Sequence, residues 1–166
     1  MAEIKTNVMR ILEQHKIAYT AHEYPHGKEA ADGLTVAAML GQDPAHVFKT
    51  LVAKGKSGGY YVFVIPVAAA LDLKKAAKAV REKAVEMVHV KDLLPLTGYV
   101  RGGCSPVGMK KAYPTVFDKT AETVPTILVS AGKIGFQIET DPAALIALVR
   151  GKTEEITIPA QPDGDA

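Results

Sequence analysis

Residue types that do chemistry gather between Thr97 and Lys111, which reads Thr-Gly-Tyr-Val-Arg-Gly-Gly-Cys-Ser-Pro-Val-Gly-Met-Lys-Lys. Four glycines, a proline, a serine, the only cysteine and three cations share these fifteen residues. Gly102, Gly103 and Gly108 permit positive φ or the close approach of a ligand, and Pro106 stiffens the bend between them. Successive N–H groups in such a bend can converge on an anion or a carbonyl oxygen. A tight turn with a purely structural purpose uses the same residues, so composition leaves both readings open. Cys104 lies beside backbone donors of the kind that lower a thiol pKa. A cysteine nucleophile also needs a base, and no histidine is near it in sequence.

Lys49 is the second candidate. Val47–Ala53 reads as a strand, in which Val47, Lys49, Leu51 and Ala53 share one face and Phe48, Thr50 and Val52 the other. A lysine in an apolar row either snorkels to an edge or is placed at a site. His15, His22, His26, His46 and His89 are scattered, none at metal-ligand spacing with a second ligand. His22 and His26 could approach each other in the first loop, and a plain surface role is the favoured reading. There is no nucleophile elbow, no Walker loop and no dinucleotide fingerprint.

These groups need a scaffold. The chain of 166 residues suits one domain with a real core. Its net charge of +2 predicts no strong nonspecific nucleic-acid binding, although contact with one end of an RNA remains open. One cysteine excludes an intramolecular disulfide and a thiolate zinc cluster. Neither a signal peptide nor a membrane-crossing apolar run is legible. A cytoplasmic protein with no membrane and no DNA partner is expected.

Helical spacing is expected at 3–15, 34–40, 73–83, 91–96 and 143–150, with Gly41 and Gly151 as stops and Asp72 and Asp141-Pro142 as starts. Strands are expected at 17–24, 47–53, 60–66, 85–90, 115–117, 126–130 and 135–140, with an edge strand at 155–158. Gly55–Gly59 joins a hairpin. Residues 25–33 read as a mobile loop beside a pocket, and 159–166 as a disordered tail. Lys74, Lys75, Lys78 and Arg81 make a basic helix face, which suits a solvated surface or an RNA groove. Hairpin-length links argue against a purely parallel sheet. The expected fold is α/β, of α+β type: a mixed, largely antiparallel sheet closing toward a barrel, with helices outside.

From Val47-Phe48-Lys49-Thr50-Leu51, Leu71-Asp72-Leu73-Lys74-Lys75-Ala76-Ala77, Val85-Glu86-Met87, Thr97-Gly98-Tyr99 with Gly102-to-Gly108, and Val129-Ser130-Ala131-Gly132-Lys133, the chain resembles the YbaK/EbsC family. These are Cys-tRNA(Pro) deacylases, relatives of the prolyl-tRNA synthetase editing domain. The resemblance implies a single editing domain over residues 1–158 that hydrolyses mischarged cysteine in trans. It implies no cofactor and no metal, with the aminoacyl-tRNA acceptor end and a prolyl-tRNA synthetase complex as partners. Lys49 then positions the tRNA end, and Gly102 and Pro106 match a Gly-x-x-x-Pro loop that holds the aminoacyl carbonyl. Gly103 and Ser105 lie in that loop as catalytic candidates. Tyr24, Thr50, Cys104, Pro106 and Ser130 are expected to bind substrate, Thr50 through its backbone. The substrate's own thiol attacks its ester and leaves as a thiolactone. Family members often carry an acid near Gln137, and an apolar residue is common at Cys104. Another specificity, such as Ala-tRNA(Pro), and a non-catalytic acceptor-end or synthetase-binding module are the alternatives.

Overall fold

The computed structural model describes residues 5–25 and 32–158. Most of the expected mobile loop, with His26, and the expected tail lie outside them. Local side chains set the helix starts. In α1 (Asn7–Gln14) the Thr6 hydroxyl accepts from the Met9 N–H at 3.3 Å, and Val8, Met9 and Leu12 are buried. Strand β1 (Tyr19–Glu23) follows. In α2 (Gly33–Leu40) the Asp32 carboxylate accepts from the Thr35 N–H at 2.8 Å, and Gly41 ends the helix at φ 64°.

The expected hairpin forms from β2 (Phe48–Gly55) and β3 (Tyr60–Pro66), running from Phe48 opposite Pro66 to Lys54 opposite Tyr60. A two-residue strand β4 (Ala70–Leu71), not expected from sequence, leads into α3 (Leu73–Ala79). That helix stops short of Lys83. Arg81 adopts φ 59°, and the Glu82 N–H returns to the Ala77 carbonyl at 2.9 Å, which closes the last turn. Next come β5 (Val85–Met87), α4 (Val90–Thr97), β6 (Thr115–Asp118), β7 (Ile127–Ser130), β8 (Phe136–Thr140) and α5 (Pro142–Leu148). The single edge strand expected at 155–158 is instead two pieces, β9 (Lys152–Glu154) and β10 (Thr157–Ile158). Among the described residues, no helix is long and apolar enough to cross a membrane.

Among the described residues the strands form three sheets, ordered β1-β8-β7, β10-β4 and β5-β2-β3-β6-β9. Antiparallel pairs dominate, and β6 lies parallel to both β3 and β9. The expected closure toward a barrel is not found. Closure requires every edge to be hydrogen-bonded onward, whereas the large sheet ends at β5 and β9. Strand β5 is too short to close it and pairs only with Ala53–Gly55 of β2. A lone parallel bridge, Val47 to Leu128, links the large sheet to the three-stranded one.

Alternation along β2 serves two cores. Phe48 and Val52 face a main core with Val8, Leu12, Phe117, Ile127 and Ile138, while Ala53 faces a second with Phe63, Ile65, Ala76 and Ala77. The alanines of α3 let that helix lie close on the sheet. Its basic face is partly engaged, since Lys75 Nζ donates to Glu155 Oε1 at 2.6 Å. The buried Asp118 carboxylate accepts from the Ile156 N–H at 3.1 Å and the Thr120 hydroxyl at 2.7 Å, stapling the chain after β9 to β6.

Candidate active site

The glycine-rich segment is shaped by its own backbone. Gly98 caps α4 at φ 87°, and its N–H donates to the Leu94 carbonyl at 2.8 Å. The Lys110 N–H donates to the Thr97 carbonyl at 3.0 Å, so the two ends of the loop are tied together. Inside it, the Gly103 N–H donates to the Val100 carbonyl at 3.0 Å and Gly102 takes φ 87°. A type II turn requires positive φ at that position, which glycine supplies. The Tyr99 hydroxyl donates to the Val107 carbonyl at 2.5 Å. Gly103 packs closely: a Cβ there would crowd the Ile134 nitrogen at 3.2 Å. The loop therefore rests on the turn between β7 and β8.

A cavity of about 120 Å³ opens where this loop, β2, β7, β8 and the end of β1 meet. Tyr24, Lys49, Thr50, Gly102, Cys104 and Ser130 all line it, so the structure brings these sequence candidates together. Gly103, Ser105 and Pro106 do not line it. Gly103 has committed its N–H to the turn, so it is not a free donor for an oxyanion. Ser105 is fully buried and its hydroxyl accepts from the Val107 N–H at 3.3 Å. Pro106 borders a different, larger cavity.

Polar groups around this cavity differ in how far they are engaged. Lys49 is partly buried, and its side chain has no hydrogen bond or ion pair among the described residues. Burial holds its ammonium below the ordinary lysine pKa. Snorkelling to a free edge is thus incomplete. The Thr50 Oγ1 is buried with no hydrogen-bond partner among the described residues. Successive strand residues border one cavity because it lies at the bridged edge of β2, where β5 does not reach. The N–H groups of Gly102 and Cys104 have no partner among the described residues.

Tyr24 is anchored through its N–H to the Gly135 carbonyl at 2.9 Å, and the Ser130 hydroxyl accepts from the Gly132 N–H at 3.1 Å. Cys104 is buried, and desolvation pushes its thiol pKa up to about 12. It stays protonated at neutral pH. No histidine lines the cavity among the described residues. His22 is engaged elsewhere, 2.8 Å from Glu139.

Gln137 also lines the cavity, and its Oε1 accepts from Gln42 Nε2 at 2.8 Å. Gln42 had no signal in the sequence, being one polar residue after a helix-ending glycine. Val36, Phe48 and Val67 supply the cavity's apolar walls, and neither Val36 nor Val67 was singled out in the sequence. Among the described residues, no three His, Cys, Asp or Glu side chains gather as a metal site.

A small, donor-lined cavity between a glycine loop and a strand lysine suits recognition of an ester carbonyl in a polyanionic substrate. The family model for the aminoacyl-tRNA editing domain matches residues 28–148, and the chain belongs to that family. An Enterococcus faecalis protein, EbsC, is 49% identical over 153 residues, covering 92% of this chain and 93% of its own; its name proposes a Cys-tRNA(Pro)/Cys-tRNA(Cys) deacylase. A crystal structure described as a proposed trans-editing enzyme for prolyl-tRNA synthetase superposes with TM-score 0.79 at 22% identity, covering 94% of this chain and all of that one. The hypothetical protein APE2540 gives TM-score 0.82 at 20% identity, over 91% of this chain and 99% of its own. At these identities the two structures speak for the fold.

Proposed function

We propose that this editing domain, an aminoacyl-tRNA deacylase, removes cysteine from Cys-tRNA(Pro) by using the substrate's own thiol. The observation that carries the reading is a cavity without a prepared protein nucleophile. The Cys104 thiol is held protonated, and no histidine lines the cavity among the described residues to activate a hydroxyl. In this mechanism the substrate sulfur attacks the ester carbonyl. A C–S bond forms, the C–O bond to the ribose breaks, and the thiol proton ends on the ribose oxygen. The products are a four-membered thiolactone and free tRNA, with no water consumed.

The protein's part is orientation and charge stabilisation. The free N–H groups of Gly102 and Cys104 are the donors for the developing oxyanion, each such donor being worth about 3 kcal/mol. Lys49 takes phosphate or sugar oxygens of the tRNA end. At ~30 Å³ per water, a cavity of about 120 Å³ admits a small side chain and little more. Volume alone separates cysteine poorly from alanine or serine, so the thiol itself supplies the selectivity. A net charge of +2 gives weak affinity for tRNA, and prolyl-tRNA synthetase supplies the choice of tRNA.

The test is deacylation of Cys-, Ala- and Ser-tRNA(Pro) side by side, with the released product identified by mass spectrometry. Thiolactone from the cysteine substrate alone is the expected result. Free amino acid released from all three would replace the thiol route with water attack.

A further inference from the structure

The glycine loop is a wall of two cavities. Gly102 and Cys104 border the reaction cavity, and Pro106, Val107 and Gly108 border a second, of about 300 Å³. The C-terminal end of α1, the chain up to Thr115 and the end of α5 complete this second cavity. Its volume is at the lower end of small-molecule sites, about 300–1,000 Å³.

Three features coincide there. Lys111 and Arg150 line it with His15, no carboxylate does, and neither cation is in an ion pair among the described residues. The N–H groups of Lys111, Ala112 and Tyr113 have no hydrogen-bond partner among those residues. The third feature is a fixed apolar wall. Ile11, Met109 and Tyr113 pack on the main core, the Tyr113 hydroxyl donates to the Leu96 carbonyl at 2.8 Å, and its ring lies edge-on to Tyr60 at 6.0 Å. Free cations and N–H groups beside a rigid apolar and aromatic surface complement a phosphate joined to a flat base.

We propose that this cavity binds one nucleotide unit, with the phosphate on Arg150, Lys111 and the loop N–H groups and the base against Ile11, Met109 and Tyr113. An RNA strand and a free mononucleotide are the two sources of such a unit, and the RNA source rests on the deacylase reading. Cys104 and Pro106 are two residues apart, so at most about 7 Å of chain separates the two walls. A nucleotide near the one being deacylated is within reach of that spacing.

The experiment uses the full chain and unacylated ligands: a short single-stranded RNA, AMP and inorganic phosphate. Binding is measured for wild type, Lys111→Glu and Arg150→Glu, each first shown to unfold as wild type does. Because the variants lie on different elements, misfolding of one leaves the other informative. The expected result is a loss of about tenfold in nucleotide affinity in either variant. For RNA the salt dependence should also fall by about 0.7 in log–log slope, one phosphate contact. RNA binding without AMP binding assigns the strand, and AMP binding of equal strength assigns the free nucleotide. If neither binds, if phosphate binds as well as both, or if both folded variants bind like wild type, the proposal is overturned. No aminoacyl group is present, so an inactive protein can pass this test and an active deacylase can fail it.

Discussion

Replacing Lys49 by methionine keeps the stem of the side chain and removes the ammonium. That ammonium is partly buried, unpaired among the described residues, and held by burial below the usual lysine pKa. A group whose folded pKa is depressed binds its proton more weakly in the folded state than in the unfolded one. Its charged form therefore opposes folding below the folded pKa, and the opposition fades as pH rises from there to the unfolded value. Lys49→Met should keep or raise the urea midpoint, with the slope of the transition unchanged. Activity should move the other way. A charged hydrogen bond to a substrate oxygen is worth about 1.5–3 kcal/mol, which is about 10- to 150-fold in kcat/KM. Deacylation of Cys-tRNA(Pro) and urea unfolding on the same preparation give both numbers. A variant that loses stability and activity together would make the lysine structural, and a stable variant with full activity would remove it from the reaction.

Two further predictions follow from the loop. With a thiol pKa of about 12, Cys104 should be about 10⁻⁴ thiolate at pH 8 and resist iodoacetamide until the protein is unfolded. Rapid labelling of the native protein, read by mass spectrometry, would contradict that environment. Gly103→Ala places a Cβ 3.2 Å from the Ile134 nitrogen, which forces the loop away from the β7–β8 turn. It should cost about 1–3 kcal/mol of stability and lower kcat more than it raises KM, because Gly102 and Cys104 move with the loop. Unchanged kcat in that variant would show that the contact does not position the donors.

Elements with strong local signals were legible in the sequence. Gly41 ends α2, Asp72 starts α3, and the Gly55–Gly59 turn makes the β2–β3 hairpin as expected. Pairings set by distant contacts were not. The parallel placement of β6 against β3 and β9, and the β4–β10 pair, depend on surfaces far apart in the chain. The barrel expectation failed for a related reason: pattern shows that strands exist, and edge pairing decides whether they close. For the site, motif residues such as Lys49 and Gly102 were legible because a lysine in an apolar row and clustered glycines are both unusual. Ser105 and Pro106 share the loop yet miss the cavity lined by Lys49 and Gly102, since a turn of this kind points neighbouring residues in different directions. Gln42 could be seen only once β8 was in place beside it.

Strand β6 has a consequence for how the molecule comes into being. The hairpin of β2 and β3 is a local structure that can form as soon as its residues leave the ribosome. Its parallel neighbour begins only at Thr115, and the glycine loop lies on the crossover between them. Pairings of such large sequence separation raise contact order and slow folding. Asp118 then waits for Ile156, near the end of the described chain, before its carboxylate is covered. The nascent chain should therefore hold its lysine in place well before it holds the loop that faces it. The cavity between them is complete only with the last strands, and an early truncation product is a hairpin without that cavity.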